Sequence, residues 1–104
     1  MKLFIDDVRN APDKTWMIVR SFETATFIIK VFSNFLKEVS LDHDLGVYPD
    51  PHGKDGAGVA KLLLQMALDG KLNKDVMITC HSMNPVGKKN IEGYIHDINR
   101  ILGR

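Results

Sequence analysis

Cysteine, tryptophan and long hydrophobic runs are scarce in this chain. Its 104 residues include one cysteine, Cys80, which excludes an internal disulfide and suits a reducing compartment. The apolar runs fall far short of the ~20 residues that span a bilayer, and Met1-Lys2 leads into a short apolar run without the hydrophobic segment of a signal peptide. We therefore expect a soluble protein of a bacterial or phage-infected cytoplasm, with no membrane partner.

An excess of charge of either sign is also missing. Fourteen basic and thirteen acidic residues leave a net charge of +1, which lacks the broad positive footprint of a protein that binds duplex nucleic acid. Any recognition of phosphate must be local. The length and composition predict one globular domain over residues 1–104, and the irregular segment Gly46–Lys54, with Pro49, is long enough to have a functional role.

Apolar periodicity predicts four strands and three helices. The strands are expected at Leu3–Ile5, Trp16–Val19, Val39–Leu41 and Val76–Thr79. The helices are expected over Phe22–Leu36 after the cap Ser21, from the cap Asp55 to Gly70, and from the cap Asn84 to Gly103. Alternating strands and helices predict a mostly parallel sheet, here in the order 2-1-3-4. The chain between Asp7 and Trp16 is too short for a helical crossover, so the second strand is either parallel through a cramped connection or antiparallel.

Acids or a histidine follow three of the predicted strands. These residues are Asp6 and Asp7, then Asp42, His43 and Asp44, then His81. Ligands of open α/β sheets bind beyond the carboxyl ends of the strands, where such side chains converge. Clustered carboxylates repel one another unless a cation or protons neutralise them, and their hard oxygens suit Mg²⁺, Mn²⁺ or Ca²⁺. We expect Asp6, Asp7 and Asp42 as metal ligands, although Asp6 or Asp7 alone could simply form a turn.

Two histidines are candidates for proton transfer beside these acids. His43 and His81 end neighbouring strands, and imidazole exchanges protons near neutral pH, so one could act as base and the other as acid beside Asp42. Either histidine could instead be a hydrogen-bonded core residue. Geometry has to decide between these readings.

The segment His81–Gly87 runs from the last strand into the last helix, where free amides bind anions. The other reading is a capped helix with nothing bound. Arg9 could contact a substrate phosphate or pair with an acid. The phosphate-binding candidates are Arg9, Ser82, Asn84, Gly87 and Lys88.

The element order and the acids resemble a response-regulator receiver domain. Asp6 and Asp7 match its paired acids, Asp42 its phosphoacceptor, and Asp55-Gly56 the start of its next helix. The first helix, the fifth strand, the fifth helix and the lysine that follows that strand are missing. The chain more closely resembles small, stand-alone, receiver-like proteins proposed to process cyclic phosphates. The shared motifs are Asp-Asp-x-Arg at 6–9, Ser-Leu-Asp-His-Asp-Leu at 40–45 and His-Ser-x-Asn-Pro-x-Gly at 81–87.

This resemblance implies a truncated flavodoxin-like or receiver-like α/β sheet of four mostly parallel strands with three helices. It also implies a metal-dependent phosphoesterase, using Mg²⁺ or Mn²⁺, that opens a cyclic phosphate on an RNA end or a nucleotide. The alternatives are a non-catalytic module that binds a nucleotide or a protein, and an atypical phosphoacceptor at Asp42. An exposed sheet edge would favour a homodimer, unless a loop protects that edge.

Overall fold

Two strands begin the chain, and helices and strands then alternate to its end. The computed structural model describes residues 1–46 and 50–104, so Pro49 and part of the predicted loop Gly46–Lys54 lie outside the described residues. The elements are β1 (Lys2–Ile5), β2 (Met17–Val19), α1 (Phe22–Phe32), β3 (Glu38–Leu41), α2 (Gly56–Leu68), β4 (Met77–Cys80) and α3 (Pro85–Ile101). The predicted receiver-like open sheet with three helices is confirmed.

All four strands are parallel and lie in the predicted order β2-β1-β3-β4. The direction of β2, which the sequence leaves open, is therefore parallel to β1. Side-chain hydrogen bonds hold the short connection that makes this pairing feasible. Asp6 Oδ1 accepts from the amides of Val8 and Arg9, and the Arg20 guanidinium donates to the Arg9 carbonyl and to Asn10 Oδ1. These bonds order the connection between β1 and β2, as a crossover helix does between other parallel strands.

The hydrophobic core lies between one face of the sheet and the helices. Alternate strand residues fill it, among them Leu3, Ile5, Val39 and Leu41, against buried residues of α1, α2 and α3. Right-handed crossovers explain why α1 and α2 share a side, because the chain steps in the same direction from β2 to β3 and from β3 to β4, and α3 packs against α2 on that side. The helices therefore cover one face, and the short first connection leaves the opposite face without a helix among the described residues.

Side-chain caps fix where the helices begin. Ser21, Asp55 and Asn84 each accept a hydrogen bond from the amide three residues ahead, as the sequence predicts. The predicted extension of the first helix to Leu36 is wrong, because a 3₁₀ turn replaces α-helix after Phe32. The Ser33 carbonyl there accepts from the amides of Leu36 and Asn73, which draws the chain out of the helix toward β3.

No helix in the described parts of the chain is long and apolar enough to cross a bilayer.

Gly56 offers a test of how tightly α2 abuts the end of β3. A Cβ at this position would lie 1.8 Å from the Asp42 carbonyl oxygen, whereas a Cβ at Gly93 in α3 would meet nothing within 4 Å. We expect Gly56→Ala to lower the free energy of unfolding by about 1–3 kcal/mol, as overpacking does. Gly93→Ala should raise it by about 0.5–1 kcal/mol through lost chain entropy. Urea denaturation checks both, and equal effects at the two sites would contradict the model of this junction.

Candidate metal and phosphate site

Asp6, Asp42 and His81 stand side by side, each one residue beyond its strand. The paired residues Ile5, Leu41 and Cys80 precede them, and the ladder continues because the amides of Asp42 and His81 donate to the carbonyls of Ile5 and Leu41, each at 2.9 Å. Parallel pairing in register therefore places three distant residues in one row. Strand alternation points their side chains away from the helices.

The three side chains form one group of potential ligands. Each offers a nitrogen or oxygen atom, and these atoms lie within 4.8 Å of one another. Asp6 and Asp42 are almost fully buried, and the His81 side chain is 19% exposed. Two carboxylates beside an imidazole are a donor set that suits Mg²⁺ through the oxygens and Mn²⁺ through all three groups. The residues present therefore fit the divalent cation expected from the sequence.

Asp6 is the most fully bonded member of the group. Its Oδ1 accepts the amides of Val8 and Arg9, and its Oδ2 lies 2.9 Å from His81 Nε2 and 3.3 Å from Arg9 Nε. Burial alone would raise the pKa of this carboxyl, but the two amides and His81 outweigh it and hold the pKa below the usual range. Asp6 is therefore a stable anion.

Asp42 lies in a less favourable environment. Burial and the neighbouring Asp6 carboxylate raise its pKa, and the His43 amide, His81 and Arg9 only partly offset this. The Arg9 guanidinium stands between the two acids, since its Nη2 is 3.8 Å from Asp42 Oδ1 while its Nε contacts Asp6. The Arg9 side chain is 46% exposed and can leave this position without unfolding its surroundings.

Three contacts fix the imidazole of His81. Nε2 faces Asp6, Nδ1 lies 2.7 Å from Ser40 Oγ, and the ring stacks on Phe4 with centroids 4.3 Å apart and planes 9° apart. If Nε2 carries the proton and donates to the Asp6 anion, the Ser40 hydroxyl donates to Nδ1. The His81 imidazole therefore has a fixed orientation beside the carboxylates of Asp6 and Asp42.

Two of the predicted site residues have other neighbours. Asp7 Oδ2 accepts from the Gly46 amide at 2.9 Å, and Asp7 is not in the ligand group found among the described residues. His43 is buried on the helix side, with Nδ1 2.8 Å from Asp44 Oδ1 and Nε2 3.6 Å from Asp55 Oδ2. A role for Asp7 as a metal ligand and for His43 in catalysis stays a prediction.

The start of α3 is already capped within the protein. The Asn84 side chain accepts from the Gly87 amide, and the Asn84 carbonyl accepts from the Lys88 amide. Buried Ser82 accepts from the Asn84 amide through its hydroxyl. Gly87 also packs on His43, since a Cβ there would lie 2.2 Å from the ring. These bonds favour the capped-helix reading, and phosphate binding by Ser82, Asn84, Gly87 or Lys88 stays a prediction.

Sequence reasoning did not single out Ser40 or Phe4. Both face away from the helices, Ser40 on the neighbouring strand β3 and Phe4 on β1 one strand further, and they orient the His81 ring. Period-two alternation from Asp42 and Asp6 back along the strands would have placed them on the same face. The proximity of Asp55 to the His43 ring depends on how α2 packs against the end of β3, so no local sequence pattern predicts it.

A family model described as the cyclic-phosphate processing receiver domain matches residues 1–97 of this chain. The chain belongs to this family. No curated protein and no solved structure matches it. Like the fold, this match agrees with the resemblance seen in the sequence, and it associates the chain with cyclic-phosphate processing.

Within this cyclic-phosphate processing receiver domain, each motif contributes to a different part of the site. Segment 6–9 supplies Asp6 and Arg9, segment 40–45 supplies Ser40 and Asp42, and segment 81–87 supplies His81. The parallel sheet brings one member of each motif into the same row.

The lowered pKa of Asp6 predicts how the free energy of unfolding of the metal-free receiver domain falls at acid pH. An unfolded aspartate titrates near pH ~3.9. Because the folded pKa of Asp6 is lower, its charge stabilises the fold above that pH, and the stabilisation is lost as the pH falls through the folded pKa. Asp6→Asn keeps an oxygen for the two amides but cannot ionise. We expect a lower stability at neutral pH and a flatter fall in unfolding free energy from about pH 6 to about pH 3.

Urea denaturation in chelator, repeated across this pH range, measures both effects. Asp75→Asn, at an exposed site, is the matched control and should follow the wild-type profile. An Asp6→Asn profile that superimposes on that of the control would contradict the assigned role of Asp6.

Proposed function

We propose that this receiver domain is a metal-dependent phosphoesterase that opens a cyclic phosphate on a nucleotide or an RNA end. The observation that carries the proposal is the grouping of Asp6, Asp42 and His81, with ligand atoms within 4.8 Å, beside the Arg9 guanidinium. Acids that hold a cation, an arginine for phosphate oxygens and an imidazole for the proton are the parts that such a reaction needs.

Asp6 and Asp42 are the residues that would hold Mg²⁺ or Mn²⁺. A divalent cation bound there would withdraw electron density from the phosphoryl group and offset its charge. The raised pKa of Asp42 agrees with this assignment, because burial and the Asp6 carboxylate disfavour the charge of Asp42, and a bound cation would offset both. Mg²⁺ is commonly held by one or two carboxylates, which leaves positions for water and phosphate oxygens.

Arg9 and His81 supply the remaining roles. Arg9 is half-exposed and next to both acids, so its fork of N–H groups can turn to a phosphate oxygen when the cation takes its place. Water attacks phosphorus, the bond from phosphorus to one ribose oxygen breaks, and His81 Nε2–H protonates that leaving oxygen. The attacking water keeps one proton in the new P–OH group and releases the other to solvent, from which His81 regains its proton. Asp6 and Ser40 hold the imidazole at the required angle.

A non-catalytic nucleotide-binding module is the second candidate. It is favoured by one observation, that both ring nitrogens of His81 already have hydrogen-bond partners. A histidine that serves only to order the site would show this arrangement. The two candidates differ in whether His81 is needed for turnover.

Turnover tests the two candidates directly. The wild type should open nucleoside 2′,3′-cyclic phosphates or cyclic-phosphate RNA ends with Mg²⁺ or Mn²⁺, and a chelator should stop it. His81→Gln and Asp42→Asn should each lower kcat by at least about 100-fold, the lower range for general acid catalysis. The control His96→Gln changes an exposed histidine and should retain full activity. Full activity in His81→Gln would exclude the proton role, and silence of the wild type across substrates would favour the binding module.

Asp42 also predicts opposite effects on stability with and without metal. Because its folded pKa is raised, its ionised form destabilises the fold above the unfolded pKa, so Asp42→Asn should raise Tm in chelator at pH 7. Mg²⁺ or Mn²⁺ at 100 times Kd should stabilise the wild type by about 2.7 kcal/mol through mass action. Asp42→Asn should lose most of this shift.

Calorimetric scans with and without metal measure both effects, and Asp75→Asn is again the control. An equal metal-induced shift in Asp42→Asn and wild type would remove Asp42 from the ligand set.

A further inference from the structure

The face of the sheet opposite the helices carries a second set of side chains with a shared direction. Register and alternation assign to it the following residues: Lys2, Phe4 and Asp6 of the first strand, Trp16, Ile18 and Arg20 of the second, Glu38, Ser40 and Asp42 of the third, and Met77, Thr79 and His81 of the fourth. We call this set the open face. The acids and His81 described above form its upper rim.

The open face is unusual for a parallel sheet. Such sheets are normally covered on both sides by crossover helices. Here Phe4 is buried but lies outside the main core cluster, while Ile18 is 38% and Met77 57% exposed. Thr79, between Met77 and His81 on the edge strand, is also exposed. Apolar and hydroxyl groups on this face are therefore available to an occupant.

Aromatic rings on the open face lead to the acid cluster. Trp16 meets Phe4 edge to face at 6.1 Å, and Phe4 stacks on His81, which contacts Asp6. Lys2 Nζ lies 4.5 Å from the Trp16 ring centroid. An occupant of this face would thus contact aromatic and cationic groups while touching the proposed phosphate site.

The size of the face favours a small planar occupant over a second protein chain. Four strands at ~4.8 Å spacing and four residues in length give an area of roughly 14 Å by 13 Å. A stable protein interface needs about 800 Å² from each partner, several times more. A nucleobase fits this area. Ile18 pairs with Phe4, two residues or roughly 7 Å below the level of Asp6, which leaves room for a ribose between a base and the rim.

We propose that the open face seats the base of a nucleotide whose phosphate lies at the Asp6 and Asp42 rim. The base stacks on the half-buried Trp16 ring and packs against the exposed Ile18 side chain, as single-stranded nucleic acids stack on exposed sheet aromatics. This inference rests on the proposed function for the position of the phosphate, and it adds the place where the base of the substrate is bound.

Trp16 reports directly on this face, because it is the only tryptophan in the chain. Adenosine 2′,3′-cyclic phosphate, titrated in chelator so that turnover is stopped, should quench the Trp16 fluorescence saturably. Glycerol 1,2-cyclic phosphate, which has no base, should not quench it. Ile18→Glu places a charge on the open face and should weaken the nucleotide Kd by about tenfold, the loss expected for one stacked base.

The matched control is Phe27→Glu, which changes a more exposed apolar residue on the helix side of the molecule. It should bind the nucleotide with wild-type Kd. Circular dichroism on both variants shows whether each is folded, so that a loss of nucleotide binding can be distinguished from unfolding. If Ile18→Glu is unfolded, Ile18→Asn, which removes the apolar contact without adding charge, takes its place with the same expected loss.

The outcomes separate this inference from the proposed function. Equal turnover of both cyclic phosphates with no Trp16 response would keep the phosphoesterase and overturn the nucleotide face. Saturable quenching by the nucleotide without turnover would keep the face and overturn the phosphoesterase. A dimer in analytical ultracentrifugation that Ile18→Glu converts to monomer would assign the face to a second copy of the chain, and would overturn the inference.

Discussion

The burial of one charged carboxylate, Asp6, shapes the functional end of this molecule. A charge removed from water requires compensating donors, and Asp6 gains them from two backbone amides, an imidazole and a guanidinium. The amides belong to the first connection, the guanidinium to Arg9 in that connection, and the imidazole to His81 at the far end of the sheet. The hydrogen bonds and ion pairs of the Asp6 carboxylate therefore order the loop, orient His81 and hold Arg9 beside Asp42.

The same short loop determines how the layers are arranged. A connection tied down by Asp6 and Arg20 has no room for a helix, so the strands β1 and β2 pair in parallel without the usual cover. The helices α1 and α2 lie in crossovers that run in one direction, and α3 packs beside α2 on the same side. Asp6, Asp42, His81 and Arg9 thus lie at the boundary between the hydrophobic core and a sheet face that no helix covers in the described parts of the chain.

Local pattern was sufficient for the elements, because apolar spacing and the caps Ser21, Asp55 and Asn84 are properties of short segments. The row of Asp6, Asp42 and His81 was also predictable, since parallel strands align their carboxyl ends. The separation of His43 from this row follows from alternation, but its partner Asp55 depends on how α2 packs. The direction of β2 was not predictable, because the bonds from Arg20 that hold the loop are tertiary. The early end of α1 depends likewise on Asn73, forty residues away in sequence from Ser33.

The stability of the fold does not explain why residue 42 is an aspartate. Its carboxylate is buried beside another carboxylate, and its pKa is raised, so the charge opposes folding at neutral pH. Asparagine would keep the hydrogen bond from the His43 amide and would not repel Asp6. A residue that destabilises the fold, although another residue would fit the same position without that cost, is typical of a functional site. The property that asparagine lacks is negative charge, which in our proposal holds a cation. The geometry of the row formed by Asp6, Asp42 and His81, together with the unfavourable burial of charge at Asp42, is therefore a physical reason to test this site for metal-dependent chemistry.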